Sequence, residues 1–237
     1  MILLGALVNG IGVSVGTLLG SLLRRIPDSM KDTVMNIMGL AIIVLGIQMG
    51  LKTENFLIVI LSLAIGAIIG ELLALEDKIN RLGGWLEKKV GSSKQGSISQ
   101  GFITGTLIFV VGAMGIIGAL DSGMRGNHDV LYTKAIIDTV LAAILTTTLG
   151  IGVLFSAIPV ILYEGSIAIF ATQIDYFIPQ ALMNHFIGEI TATGGIMIIA
   201  IGSNLIGITK IKVANLLPAL VVTALLVSIV HSFNLHF

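Results

Sequence analysis

Four acidic residues lie within or beside long apolar stretches of this sequence, where an ionised side chain is costly. Asp121 follows an uncharged run, Asp138 comes one helical turn after Lys134, and Glu164 and Glu189 lie within apolar segments. Carboxylates at such positions usually face the interior of a helix bundle or a water-filled cavity, where they bind cations or relay protons. These acids are therefore the candidate ion-binding groups of the chain.

Glu164 is the most informative of the acids because no basic residue lies near it in the sequence. Its partner must come from another helix, from water or from a bound cation, so Glu164 is a candidate proton carrier or cation ligand. For Asp138, a local salt bridge with Lys134 near the membrane interface is an alternative. For Glu189, the alternative is a first-turn acid favoured by the helix dipole, if its helix starts later than predicted.

Neutral polar groups accompany the acids at Asn9, Asn204 and Asn215. Such side chains commonly join neighbouring membrane helices by hydrogen bonds, and they can also complete a binding site. The segments ATGG (192–195) and NLLPA (215–219) contain Gly or Pro and predict points where a helix unwinds and frees its carbonyls. Freed carbonyls near the acids would form a site for a small cation.

The composition is that of a membrane protein. The chain has 237 residues, of which 55% are hydrophobic and 11% charged, and its mean hydropathy is +1.04; soluble domains carry about 25% charge. Cysteine is absent, no acid–histidine spacing matches a metal motif, and no nucleophile is paired with a base. We therefore expect no enzyme, no metal, no cofactor and no nucleic-acid partner.

Uncharged runs of roughly 18 or more residues predict transmembrane helices. Six such runs occur in the sequence, and together with the apolar segments that contain a single acid they predict an all-α membrane protein with about eight spans, at residues 2–23, 33–51, 55–75, 101–120, 133–154, 158–174, 184–207 and 213–233. Pro159 divides the long apolar run that contains the fifth and sixth spans. The amphipathic segment 76–89 predicts a short interfacial helix, and GSSKQGS (91–97) predicts a flexible linker after it.

Lysine and arginine are distributed unevenly between the predicted loops. The odd-numbered loops hold Arg24, Arg25, Lys31, Lys78, Arg81, Lys88, Lys89, Lys94, Lys210 and Lys212, whereas the even-numbered loops hold Lys52, Arg125 and Lys134. By the positive-inside rule, the odd-numbered loops are cytoplasmic and both termini are extracytoplasmic. Arg24 and Arg25 would then be the cytoplasmic stop of the first span.

Two parts of the chain are weakly similar at an offset of 156 residues, where GLAIIVLG (39–46) matches GIMIIAIG (195–202). A nearly equal offset brings Asn9 opposite Glu164. The starts of the two copies are five spans apart, an odd number, so spans 1–3 and 6–8 would be inverted repeats, which are typical of transporters. The chain would be one membrane domain with repeat A at 1–75, the interfacial helix and linker at 76–100, central spans at 101–154 and repeat B at 158–237. Chance similarity between two glycine-rich apolar runs is the alternative.

Glycines recur at helical spacing in two spans, at Gly12, Gly16 and Gly20 and again at Gly66 and Gly70. Such stripes allow close approach of helix backbones in lipid. They predict a tight bundle or a dimer face.

A third set of glycines, Gly112, Gly115 and Gly118, lies in the fourth span. These residues predict either close packing or a break in the helix. We expect the span to end before an acidic turn at Asp121, which would be the outer entrance of a path toward Glu164 and Glu189.

Several segments together resemble the DUF554 family of bacterial polytopic membrane proteins. They are NGIGVSVGTLLGSLL (9–23), GIIGALDSGMRGNHDVLYTKAIID (115–138), LGIGVLFSAIP (149–159), GGIMIIAIGSNLIGI (194–208) and VANLLPAL (213–220). The resemblance covers nearly the whole chain. It implies a multi-pass protein of the bacterial inner membrane with a presumed transport role, and it transfers no catalytic residue.

The leading hypothesis is a small secondary transporter or channel-like protein for a small ion or metabolite. Asp121, Asp138, Glu164 and Glu189 would bind a cation or exchange a proton, with Asn9, Asn204 and Asn215 nearby. The alternative is a membrane scaffold or sensor that works through helix packing and oligomerisation. Its partners would be the lipid bilayer and a second copy of the chain, since a homodimer suits a chain of this size.

Overall fold

A computed structural model describes residues 1–22, 28–90, 97–177 and 180–232. All regular secondary structure in these residues is helical, which confirms the prediction of an all-α membrane protein. The predicted stop at Arg24 and Arg25 and most of the predicted linker lie outside the described residues. The chain divides into two compact units, the first formed by Met1–Met35 and Asn80–Phe177 and the second by Asn36–Ile79 and Ile178–Phe237.

The helices follow one another along the chain with short connections. They are α1 (Leu4–Leu22), α2 (Asp28–Gly50), α3 (Phe56–Leu72), α4 (Leu75–Val90), α5 (Ser97–Val110), α6 (Ala113–Arg125), α7 (Asp129–Leu149), α8 (Ala157–Ile169), α9 (Ala171–Phe177), α10 (Gln180–Leu205) and α11 (Pro218–Ser232). Two 3-10 segments, Gly150–Ser156 and Val213–Leu216, precede α8 and α11.

Four described helical stretches are long and apolar enough to cross a membrane, or up to six when two bent helix pairs are included. One of the four, Asp129–Ile169, contains α7 and α8 and is not a single crossing. Lys134 Nζ lies 3.4 Å from Glu164 Oε1, whereas these residues would be about 45 Å apart on one straight helix. The chain therefore reverses between α7 and α8. The count of eight spans stays a prediction.

The reversal begins at Gly150, which ends α7 with a φ of +80°. This left-handed conformation favours glycine because a Cβ would be strained there. Pro159 lies in the first turn of α8, where a missing N–H leaves no helical hydrogen bond unmade. The chain thus turns just before the proline that was predicted to divide the run.

Two helix pairs meet at sharp bends. α5 and α6 are bent by 61° where they join at 111–112, and α3 and α4 are bent by 58°. The first bend divides the predicted fourth span at Gly112, so this span is a broken helix. α4 is the amphipathic helix predicted for 76–89, and it carries acidic residues in its first turn and basic residues later.

The glycine stripe of α1 packs inside the first unit. A Cβ on Gly16 would lie 2.1 Å from the carbonyl oxygen of Thr139, and Gly20 is equally close to the backbone of α7. In the second unit, Gly66 and Gly70 of α3 approach the backbone of α11 and of the 3-10 segment before it in the same way. Both stripes therefore serve packing within the chain.

Two local predictions are wrong. Asp121 does not lie in a turn, because α6 continues to Arg125 and ends at Gly126, whose φ is +67°. Segment 192–195 does not unwind, because α10 continues through it to Leu205. Gly195 serves close packing there, since a Cβ would lie 2.5 Å from the backbone nitrogen of Gly50 in α2. At 215–219 a 3-10 segment does precede α11, as the proline indicated.

Candidate functional site

The first unit contains a buried polar cluster at the bend between α5 and α6. At its centre, Lys134 Nζ of α7 donates a hydrogen bond of 2.7 Å to the carbonyl oxygen of Phe109. The same ammonium donates to Asp138 Oδ2 and lies 3.4 Å from Glu164 Oε1 of α8. One carbonyl oxygen and two carboxylate oxygens from three helices therefore surround a single ammonium group.

The bend explains why the Phe109 carbonyl is available. In a continuous helix this carbonyl would accept the N–H group four residues later, but α5 ends at Val110 and α6 begins anew at Ala113. Lys134 supplies a donor in its place. Lys134 and Asp138 lie one turn apart on α7, so both side chains project from the same face.

Asn9 of α1 binds Glu164 from another side, with Nδ2 donating a hydrogen bond of 2.7 Å to Oε1. In the part of the chain that the structure describes, Asn9 Oδ1 and Glu164 Oε2 are buried without a hydrogen-bond partner. Both atoms are acceptors when Glu164 is ionised. Two buried acceptors therefore lack a donor, and unmet hydrogen bonds of this kind are costly in a protein interior.

The cluster is closed to solvent. Asn9 and Glu164 are 0% exposed, Asp138 is 4% exposed and Lys134 is 6% exposed. One ammonium and two carboxylates, all ionised, leave a single net negative charge. Such a charge is expensive in apolar surroundings, and one proton or one monovalent cation would neutralise it.

The cluster also lies deep along its helices. Asp138 is about 13 Å from the start of α7, and Glu164 lies in the interior of α8. α6 begins beside the cluster, where a Cβ on Gly115 would lie 3.6 Å from Lys134 Cε and 3.7 Å from Glu164 Oε1. These are ordinary contact distances, so Gly115 leaves room beside the charged groups.

Asp121 lies about 9 Å further along α6 than Gly115 and does not belong to the cluster. Its Oδ1 forms an ion pair of 3.2 Å with Arg125, whose side chain is 74% exposed. Asp121 thus lies between the cluster and the exposed end of α6. A path from Asp121 to the buried acids stays a prediction.

Glu189 lies in the second unit in different surroundings. Its Oε1 accepts hydrogen bonds from the backbone N–H groups of Glu54, at 2.8 Å, and Asn55, at 3.0 Å. Its Oε2 accepts a hydrogen bond of 2.6 Å from the Thr53 hydroxyl. Glu189 is 2% exposed, and both of its carboxylate oxygens hold the turn before α3. The first-turn alternative for Glu189 is wrong, because α10 begins at Gln180; the acid instead supports the N-terminus of a neighbouring helix.

The side chain of Asn204 stabilises the loop that follows α10 by hydrogen bonds. Its Nδ2 donates a hydrogen bond of 2.7 Å to the carbonyl of Ile211, and its Oδ1 accepts from the Ile211 N–H and the Thr209 hydroxyl. These contacts use both ends of the amide. Asn204 therefore has a structural role in this loop.

Asn215 joins the loop before α11 to the corner between α3 and α4. Its Nδ2 donates to Glu71 Oε2, and its Oδ1 accepts a hydrogen bond of 2.8 Å from the Glu76 N–H. Lys212 Nζ donates a hydrogen bond of 2.6 Å to Glu71 Oε1, and this bonded carboxylate raises the pKa of Lys212. The group is a structural bracket at the end of the second unit.

The structure thus brings together three of the predicted site residues, Asn9, Asp138 and Glu164. It places Asp121 further along α6, and Glu189, Asn204 and Asn215 in bonded positions of the second unit. Two members of the cluster were not predicted, the Lys134 ammonium as the partner of Glu164 and the Phe109 carbonyl. The pairing of Asn9 with Glu164 was indicated by the sequence, because the offset of the predicted repeat places these two residues at equivalent positions. Among the described residues, no group of three or more His, Asp or Glu side chains could hold a metal ion.

Comparisons with known proteins agree with the motifs in the sequence. The model of the family named "Protein of unknown function (DUF554)" matches residues 4–228. The chain is 30% identical to the uncharacterized membrane protein YdfK of Bacillus subtilis (strain 168), over 98% of this chain and 99% of YdfK. It is also 30% identical to the uncharacterized protein YqgA of Escherichia coli (strain K12), over 92% of this chain and 93% of YqgA. No solved structure matches the chain. The chain belongs to the DUF554 family of membrane proteins.

Proposed function

We propose that the protein is a small secondary transporter of a small ion or metabolite, coupled to a proton that Glu164 carries. The observation that carries this proposal is that Asn9 Oδ1 and Glu164 Oε2 are both buried acceptors without a hydrogen-bond donor. A proton on Oε2 would convert one of these two acceptors into a donor. The same proton would remove the net charge of the cluster.

Binding and release of this proton would change the attraction between α7 and α8. With Glu164 ionised, its carboxylate attracts the Lys134 ammonium across 3.4 Å. With Glu164 protonated, Lys134 pairs with Asp138 alone and the charge contact to α8 is lost. A helix contact that depends on a bound proton can bias a transporter between two conformations.

The architecture supports a transporter in two ways. A helix broken near the middle of the membrane is a common component of transport sites, because it exposes backbone groups to the cargo or ion. The second support is that segments at equivalent positions of the two predicted repeats pack against each other. Asn9 contacts Glu164 in the first unit.

In the second unit, α2 and α10 also lie at equivalent positions of the two predicted repeats and pack against each other. The predicted repeat equates Gly39 with Gly195 and Gly46 with Gly202, and a Cβ on Gly39 would lie 3.0 Å from the Gly202 carbonyl. A Cβ on Gly46 would lie 2.6 Å from the Gly195 carbonyl. Gly39 thus packs on the repeat equivalent of Gly46, and Gly46 packs on the repeat equivalent of Gly39. This reciprocal contact is expected for inverted copies around a twofold axis. In this proposal the protein lies in the bacterial inner membrane with both termini outside.

A membrane scaffold or sensor is the second candidate, and the bonded carboxylate of Glu189 favours it. A scaffold needs buried acids only as structural links, and Glu189 is such a link. Against this candidate, the glycine stripes that could have formed a dimer face pack within the chain. A homodimer remains compatible with either function.

The test uses proteoliposomes adsorbed on a solid-supported membrane, where a pH jump gives a transient current if protons bind at depth. We expect such a current from the wild-type protein, no current from Glu164→Gln, and a current of wild-type size from folded Glu189→Gln. A growth screen of a deletion strain across ions and nutrients would identify the cargo. No wild-type current, together with no growth phenotype, would favour the scaffold.

A further inference from the structure

The Lys134 ammonium contacts the same kinds of oxygen atoms that bind a monovalent metal cation in transporters. Transporters with broken helices coordinate Na⁺ with freed backbone carbonyls and nearby side-chain oxygens. Here the freed carbonyl is that of Phe109 and the side-chain oxygens are those of Asp138 and Glu164, and Lys134 Nζ contacts all three. The ammonium group therefore lies among three oxygen atoms of the kind that would coordinate a metal cation.

We infer that Lys134 is a tethered substitute for a metal cation, so the coupling ion of this site is a proton and not Na⁺ or K⁺. The inference rests on the proposed function, because it names the ion exchanged at the same site. It is carried by the position of the ammonium group among the three oxygens. Lys134 cannot dissociate, because its ammonium group is covalently attached to α7.

The charge of the cluster supports a proton over a metal cation. A metal cation would need several of the oxygens that Lys134 already binds, and it would lie close to another positive charge. A proton needs only one atom, and Glu164 Oε2 is an oxygen without a hydrogen-bond partner. The single negative charge of the cluster also matches one proton.

Removal of the ammonium should convert the cluster into a sodium site. In Lys134→Met the two carboxylates would lie together without their cation, and the Phe109 carbonyl and Asn9 Oδ1 would both lack donors. Oxygen ligands of this kind suit a hard cation. A small cation should then bind where the ammonium group was.

The experiment measures thermal unfolding of the full-length protein in detergent, in NaCl and in choline chloride at equal ionic strength. The wild-type protein should unfold at the same temperature in both salts. Lys134→Met should unfold at a temperature at least about 3 °C higher in NaCl, because a ligand that binds only the folded state stabilises it. Lys134→Gln, which keeps a polar side chain, should show the same direction of change.

Two controls separate a specific site from a general salt effect. Lys212→Met removes another lysine that binds a carboxylate, but at an exposed position outside the cluster, and it should give no sodium response. Lys134→Met combined with Asp138→Asn and Glu164→Gln removes the charged oxygens and should abolish the response.

Three results would overturn the inference. The first is a sodium response of the wild-type protein that Glu164→Gln removes. The second is folded Lys134→Met and Lys134→Gln without any response to sodium. The third is a response as large in the Lys212→Met control. If neither Lys134 variant can be purified, the wild-type measurement decides alone. The pH-jump current tests transport separately, because salt-dependent stability measures only the occupant of the site.

Discussion

Glu164 and Glu189 are two buried acids of the same type with opposite surroundings. Glu164 lies in the first unit among an ammonium, a second carboxylate and an amide, and one of its oxygens has no partner. Glu189 lies in the second unit, and both of its oxygens accept hydrogen bonds from one turn. The sequence predicts the same role for both. Their partners differ, and on that ground we propose different roles for them.

The comparison teaches that burial alone does not identify a functional acid. A carboxylate that accepts two backbone N–H groups and a hydroxyl has hydrogen-bond partners for both of its oxygens and links two parts of the fold. Glu164 lies in a cluster with a net negative charge, and its Oε2 has no hydrogen-bond partner. Each of these two features favours the binding of a proton.

The largest effect is expected when the ammonium at the centre of the cluster is removed. Lys134→Met should lower the free energy of unfolding in choline chloride by about 3–5 kcal/mol, because breaking a buried ion pair leaves uncompensated charges. Thermal unfolding in detergent measures the change. Adding Asp138→Asn should recover part of the loss, and a double variant no more stable than the single one would contradict this view of the cluster.

The two acids should differ clearly in their contribution to stability. Glu189→Ala should cost about 2–3 kcal/mol, because two buried backbone N–H groups and a hydroxyl lose their acceptor. Glu164→Gln should cost less than about 1 kcal/mol, because it removes the net charge of the cluster and keeps the shape of the side chain. Unfolding temperatures of both variants provide the measurement, and equal losses would remove the distinction between the two sites.

The glycines of the two regions should also respond differently. Gly16→Ala should cost about 1–3 kcal/mol, because its Cβ would collide with the backbone of α7 and the helices would have to separate. Gly115→Ala should change stability by no more than about 0.5 kcal/mol, because the nearest atoms lie at ordinary contact distances. A large loss of unfolding temperature in Gly115→Ala would show that the space beside the cluster is not available.

The smallest effect is expected at Asp121. Asp121→Asn removes an ion pair with an exposed arginine on the same helix, which contributes about 0.3–0.5 kcal/mol. The unfolding temperature should therefore change by about 1 °C or less. The pH-jump current should persist, and its complete loss would place Asp121 within the proton path.

Periodicity and charge predicted the helical membrane fold and the amphipathic helix, and the glycines of the fourth span predicted either close packing or a break, of which the structure shows a break at Gly112. These features depend on local chemistry, since each is set by residues within a few turns of one another. The structure also confirms that the apolar run after Lys134 is divided, because Glu164 returns to contact Lys134.

The composition of the site could be predicted only in part. The missing partner of Glu164 belongs to another helix, and no spacing within one helix reveals a contact between α7 and α8. The Phe109 carbonyl is a backbone atom, so its availability follows from the bend and not from a residue type. The continuous course of α10 through segment 192–195 depends on its packing against α2, which a single helix does not encode.

We propose that Glu164, and not Glu189, exchanges a proton. Infrared difference spectroscopy of the protein in lipid can follow the carbonyl band of buried protonated carboxyl groups as the pH changes. The account predicts a pH-dependent band in the wild-type protein that persists in Glu189→Gln and disappears in Glu164→Gln. A band that persists in Glu164→Gln, or that disappears in folded Glu189→Gln, would contradict the account.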